Sequence, residues 1–125
     1  MDVETAREYC LSLPGVVEDF PFDESTLVFR VAHRIFACID LEHPQWLTLK
    51  CDHCIALELR ERYSEIDGAW HWNKKYWNQV DLYGCLKDEF VKSLIRHSYS
   101  EVVKKLPKCV RMGNPELLSV KSEVF

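Results

Sequence analysis

Between Thr26 and Lys50 the chain alternates apolar and polar side chains through three short runs, "TLVFRVA", "RIFACIDLE" and "WLTLK". Alternation at period two marks half-buried strands. Leu27, Phe29 and Val31 point one way, against Val28 and Arg30. Ile35, Ala37, Ile39 and Leu41 oppose Phe36, Cys38 and Asp40, and Leu47 and Leu49 turn inward. The linkers are "AHR" (32–34), a turn without the Gly or Asn that favours a tight hairpin, and "HPQ" (43–45). Strands joined this closely and bracketed by helices imply one mostly antiparallel sheet with the helices on one face.

The flanking segments supply those helices. Asp2 can cap a first helix whose apolar face is Val3, Ala6, Cys10 and Leu13, with Pro14-Gly15 as its stop. In "EDFPF" (18–22), Pro21 limits any strand to an edge or an extended lead-in. Asp52 caps a second helix running to about Tyr63, with Ile55, Leu59 and Tyr63 on its buried stripe, and "IDG" (66–68) closes it. "YWNQVDLY" follows as a strand, with Asn78, Val80 and Leu82 opposing Trp77, Gln79 and Asp81. "WHW" (70–72) is its expected hairpin partner, turning at Asn73-Lys74-Lys75.

From Lys87 to Leu106 the pattern is helical again. Ser98-Tyr-Ser-Glu101 fits a capping box, so a break near His97 is expected, and Pro107 ends the run. The C-terminal "KCVRMGNPELLSVKSEVF" has no firm period, and "LLSVKSEVF" reads as an extra strand or a loose tail. The order α-β-β-β-α-β-β-α(α) describes a two-layer α+β domain over residues 1–108, with 109–125 as an extension.

Composition sets the outer bounds. A chain of 125 residues suits one domain, and 47% hydrophobic with 29% charged residues excludes a disordered class. No apolar run is long enough to span a bilayer, and the acidic, polar start "MDVETAREYC" is no signal peptide, so a cytoplasmic location without membrane contact is expected. In that setting the 6 cysteines read as reduced core thiols. The net charge of −4 argues mildly against nucleic acid. It hides a split, however: residues 1–69 hold 6 basic and 14 acidic side chains, giving −8, and residues 70–111 hold 9 and 4, giving +5.

Local motifs are few. Cys51-Asp-His-Cys54 is a CxxC at a strand-to-helix junction, where a helix N-terminus would lower a thiol pKa. A zinc site needs two further ligands, and neither a second CxxC nor an HxxxH is present; structural cysteines are the ordinary reading. The histidines are scattered and no catalytic constellation assembles, so the sequence leans away from an enzyme and implies neither cofactor nor metal. Acidic groups at Glu18-Asp19 and Asp23-Glu24 read as a solvated face, or alternatively a weak cation site. "WHWNKKYW" (70–77) reads as core packing for some of its tryptophans, or as a wing whose lysines meet phosphates while its aromatic face stacks on bases.

"SLPGVVEDFPF", "TLVFRV", "RIFACIDLE", "LTLKCD", "HWNKKYWNQVDL" and "RHSYSEVVKKLPK" occur in the order seen in the MmcQ/YjbR-like family, which the chain closely resembles over residues 1–108. The resemblance implies a frataxin-like (CyaY-like) two-layer fold related to type III secretion chaperones, in small, cytosolic, mostly bacterial proteins. Family members are commonly described as having a DNA-binding "double wing". Pro21, Phe22, Lys50, His71, Asn73, Lys74, Lys75, Trp77, Ser98 and Tyr99 match the family motifs. The chain departs from them at "VAHRI", where a glycine-containing turn with a lysine is usual, although Arg34 keeps a basic side chain there.

Together these readings point to DNA as the partner of two wings, the 26–39 hairpin with Arg34 at its turn and the 70–83 hairpin. Lys50, Lys74 and Lys75 are the expected phosphate contacts, His71 and Asn73 the hydrogen-bonding groups, and exposed aromatics such as Trp77 the stacking surface. A protein-interaction or chaperone-like adaptor is the second reading, and frataxin-like cation binding along the acidic N-terminal half is the third.

Overall fold

In the computed structural model, which describes residues 1–122, helix α1 (Val3–Ser12) leads into strand β1 (Val16–Asp19). Strands β2 (Thr26–Val31), β3 (Arg34–Asp40) and β4 (Trp46–Lys50) precede α2 (His53–Arg62). β5 (Ile66–Gly68) and β6 (Trp77–Asp81) complete the sheet. Helices α3 (Asp88–Val103) and α4 (Lys108–Gly113) follow, and then a 3-10 turn over Pro115–Ser119. The strands lie in the order β1-β2-β3-β4-β6-β5 with every neighbouring pair antiparallel. This is the α+β sheet with helices on one face that the strand patterns imply.

Both predicted caps form. The Asp2 carboxylate accepts from the Thr5 N–H at 2.8 Å, and that of Asp52 accepts from Cys54 and Ile55. Gly15 has φ +71, and a Cβ there would meet Leu117 at 3.2 Å, which fits glycine to the turn after α1. The inward residues of β2, β3 and β4 bury against α3, chiefly Val91, Leu94, Ile95 and Val102. Burial of each large aliphatic or aromatic side chain contributes about 1.5–3 kcal/mol.

"EDFPF" meets its expectation: Glu18 and Asp19 lie in the edge strand β1, with Pro21 just beyond it, although the expected element order lacked this strand. Other local expectations are corrected. "IDG" is not a helix stop but β5, the real partner of β6, and "WHW" lies in the connecting loop. The β2–β3 register steps from Phe29↔Ala37 to Arg30↔Ile35, so Phe36 has no partner across the ladder. This bulge re-aims its side chain: Phe36 is fully buried, edge-on to Tyr99 at 5.4 Å, rather than outward with Cys38. Finally, α3 runs unbroken through His97, because Ser98 is a buried tertiary contact and caps nothing.

That contact ties the layers together. Ser98 Oγ donates to the Phe36 carbonyl and accepts from the Lys50 N–H at 2.8 Å. Tyr99 Oη donates to the Pro14 carbonyl at 2.6 Å, and His97 Nε2 accepts from the Asp52 N–H at 3.2 Å. Leu117 of the C-terminal extension joins the core. The described part of "LLSVKSEVF" forms no strand, and the rest of it, residues 123–125, lies outside the described residues. Among the described residues no helix is long and apolar enough to cross a membrane.

The β2–β3 hairpin turns on two residues, Ala32 and His33, with φ of 47° and 69°. Tight hairpins favour positive φ at both central positions, but each costs an L-residue about 1–2 kcal/mol. His33 is exposed. His33→Gly is therefore expected to raise the unfolding free energy by about 0.5–1 kcal/mol in urea titrations, and His33→Val to lower it.

Candidate functional site

The antiparallel order brings the predicted wing residues to one end of the sheet. Arg34 opens β3, Lys50 closes β4 and Trp77 opens β6, with Lys50 directly opposite Trp77 in register. Lys50 Nζ lies 6.0 Å from the Trp77 ring centroid. The stretch expected as the second hairpin is the 69–76 loop instead, and α2 anchors its base. Arg60 Nε donates to Asn78 Oδ1 at 2.7 Å, and its guanidinium also reaches the carbonyls of Lys74 and Trp77. Asn73 Oδ1 accepts from the Lys75 N–H at 3.0 Å, and the Asn73 carbonyl accepts from Tyr76 N–H, so Asn73 shapes the turn.

Within this loop the side chains divide. Lys75 Nζ lies 5.5 Å from the Tyr76 ring centroid, and Lys105, just past α3, lies 5.2 Å from the same ring. Burial lowers the pKa of the half-buried Lys50 ammonium. Lys105 and Arg34 lower it further, and Glu101 opposes them. Arg34 and Lys105 thus each lie within electrostatic reach of Lys50, and Lys75 meets Lys105 across Tyr76. Glu101, the nearby acid, is paired with Lys104.

His71 and Lys74 go elsewhere. His71 has φ 68°, which breaks the alternation of "WHW" and turns the loop over the open face of the sheet. There Trp70, His71 and Trp72 meet Trp46, Asp40 and Gln79 around a cavity of about 700 Å³. Lys74 Nζ lies over the Trp70 ring, 5.6 Å from its centroid. Trp72 stacks on Trp77 at 4.5 Å, so this ring pair separates the cavity from the basic end.

A family model described as YjbR matches residues 11–101. The chain belongs to the YjbR family. It is 28% identical over 109 residues to the uncharacterised protein YjbR of Escherichia coli K12, covering 86% of this chain and 92% of that one. It is 31% identical over 106 residues to the uncharacterised protein YbdF of Escherichia coli O157:H7, covering 84% and 87%. The crystal structure of Deinococcus radiodurans DR2400, a DUF419 domain, superposes with a TM-score of 0.85 at 35% identity, covering 98% of this chain and 91% of that one. A Pseudomonas syringae protein shares the fold at a TM-score of 0.68 and 24% identity, covering 78% and 96%.

In this YjbR-family chain the sequence missed Lys105, Tyr76 and Trp46. Lys105 looked like one more basic residue at a helix end, and only the packing of α3 brings it to Tyr76. The period-two pattern of β4 did set Trp46 apart from the inward Leu47 and Leu49, which was the available signal. Cys51 does not show the lowered pKa expected of a thiol at a helix N-terminus. Burial and then Asp52 push its thiol up to about 12, and Cys54 is exposed with no disulfide between them. The acidic ridge is internally engaged: Glu18 pairs with Arg7, Asp19 with Arg30, and Asp23 accepts from Ser25 and Thr26. Among the described residues no three His, Cys, Asp or Glu side chains gather as metal ligands.

His97 is buried beneath the basic end, and desolvation lowers its pKa below 6.5. With Nε2 accepting from Asp52 N–H, the proton resides on Nδ1, which faces Ser122 Oγ at 2.8 Å. The unfolded chain therefore takes up a proton near pH 6.5 that the folded chain refuses until lower pH. This contribution to stability is present above 6.5 and declines as pH falls from there through the folded pKa. Urea midpoints of wild type are expected to decline over that window more steeply than those of His97→Gln.

Proposed function

We propose that the YjbR-family chain binds DNA through the phosphate backbone at the basic end of its sheet. The observation that supports this most is the gathering of Arg34, Lys50 and Lys105 beside Tyr76 and Trp77. Burial and like-charge neighbours already destabilise the Lys50 ammonium. An arriving phosphate would relieve that repulsion, so these groups favour an anion over water. Lys75 extends the row along the loop, and the partly exposed Tyr76 and Trp77 rings offer flat surfaces beside it. The β2–β3 hairpin contributes Arg34 as the first wing, and the 69–76 loop is the second.

The arrangement suits backbone contact better than base reading. Asn73 is engaged in its own turn and His71 faces the open sheet, so the hydrogen-bonding groups that could read a base edge are directed away. Affinity should then be modest, strongly salt-dependent and weakly sequence-dependent. The chain's net charge of −4 works against tight binding.

Anisotropy of a short labelled duplex across a salt series tests the proposal. Lys75→Glu combined with Lys105→Glu is expected to weaken binding at least about tenfold. The slope of log K against log salt should fall by about 0.9 for each phosphate that the variant no longer neutralises. Lys92→Glu, at a residue paired with Glu89 on α3 and lying over Tyr9, should change neither. Unchanged affinity and slope in the double variant would exclude this surface as the DNA contact.

A further inference from the structure

The open face of the sheet holds the roughly 700 Å³ cavity, which plays no part in DNA binding as proposed. Its composition differs from that of the basic end beside it. Trp46, Trp70, Trp72 and Phe22 supply aromatic walls. Among the described residues Asp40 is its one carboxylate, and no lysine or arginine lines it. One Asp40 oxygen accepts from the Glu42 N–H at 3.0 Å. The carboxylate has no ion pair among the described residues, so its charge is left for whatever enters.

We propose that this cavity is a binding site for a small organic cation, an ammonium head bearing alkyl groups, held between the tryptophan rings and balanced by Asp40. Three features favour that class. Indole faces attract cations through their quadrupole, and several such rings around one charge form an aromatic cage. Trp70 already draws a cation within the molecule, the Lys74 ammonium at 5.6 Å. The local field is negative as well: burial, then Asp40 and Asp23, push the thiol of Cys38 on the cavity wall up to about 12. An anion would meet the Asp40 carboxylate, and among the described residues no lysine or arginine lines the cavity to offset it, only the rings of His43 and His71. A bare metal ion would find one carboxylate where several hard ligands are needed. The alkyl groups matter because they lower the desolvation penalty that an unsubstituted ammonium would meet among indoles.

Choline and its neutral isostere, with carbon in place of the quaternary nitrogen, are the probes. They differ in charge and hardly in shape. Isothermal titration calorimetry, with tryptophan fluorescence alongside, is expected to give saturable choline binding at least about tenfold tighter than binding of the isostere. Asp40→Asn should weaken choline about tenfold and leave the isostere unchanged. Trp70→Leu, at an exposed residue outside the core, should weaken choline on a fold verified by circular dichroism. Equal affinity for the two probes, saturable binding of neither, or choline affinity unaffected in a folded Asp40→Asn would each overturn the proposal. The Lys75→Glu/Lys105→Glu variant should bind choline normally, so this site and the DNA surface fail or stand separately.

Discussion

Ser98 is the contact on which the basic end of the sheet depends. Its hydroxyl lies between two strands, donating to the Phe36 carbonyl in β3 and accepting from the Lys50 N–H at the end of β4. The bulge at Phe36 takes a residue out of the β2–β3 ladder, and a buried carbonyl or amide left without a partner costs about 1–3 kcal/mol. Ser98 satisfies one such group on each strand. On either side of it, His97 holds the start of α2 through Asp52, and Tyr99 holds the chain after α1 through Pro14. Three consecutive residues of one helix thus hold the backbones of Pro14, Phe36, Lys50 and Asp52.

The stretch from Trp70 to Trp77 serves two surfaces because Arg60 fixes the base of its loop and His71 bends it. Upstream of Asn73 the rings fold over the open sheet. Downstream, Tyr76 and Trp77 join the basic end. The Trp72–Trp77 stack divides a negative, aromatic cavity from a row of cations only one residue pair away. A short segment with a net positive charge thereby borders two surfaces of different composition, one lined by Asp40 and tryptophans and one by lysines.

The sheet was legible because period-two patterning is a local signal, and both helix caps were legible because Asp2 and Asp52 act within three residues of themselves. What misled were local signals overridden at long range. Ser98 and Glu101 fit a capping box in sequence, yet the serine's partners lie 48 and 62 residues away. Phe36 obeyed the alternation of its strand until the bulge rotated it. "IDG" looked like a stop because three residues are too few to show a strand period, and its pairing with β6 decides the matter. Arg34, Lys50 and Trp77 could be singled out one by one as candidates. Their meeting with Lys105 depends on how α3 crosses the sheet, which no sequence window contains.

The YjbR-family fold offers this chain one end where cations concentrate without a full complement of acids, and the central claim is that a DNA backbone lies there. The most direct measurement is a titration of isotope-labelled protein with a short duplex, followed by amide chemical shifts. Shifts are predicted to concentrate at Arg34, Lys50, Lys75 to Trp77 and Lys105, and to fade as salt is added. Shifts centred on α1, α2 or β1, or a spectrum that DNA leaves unchanged at low salt, would contradict the claim.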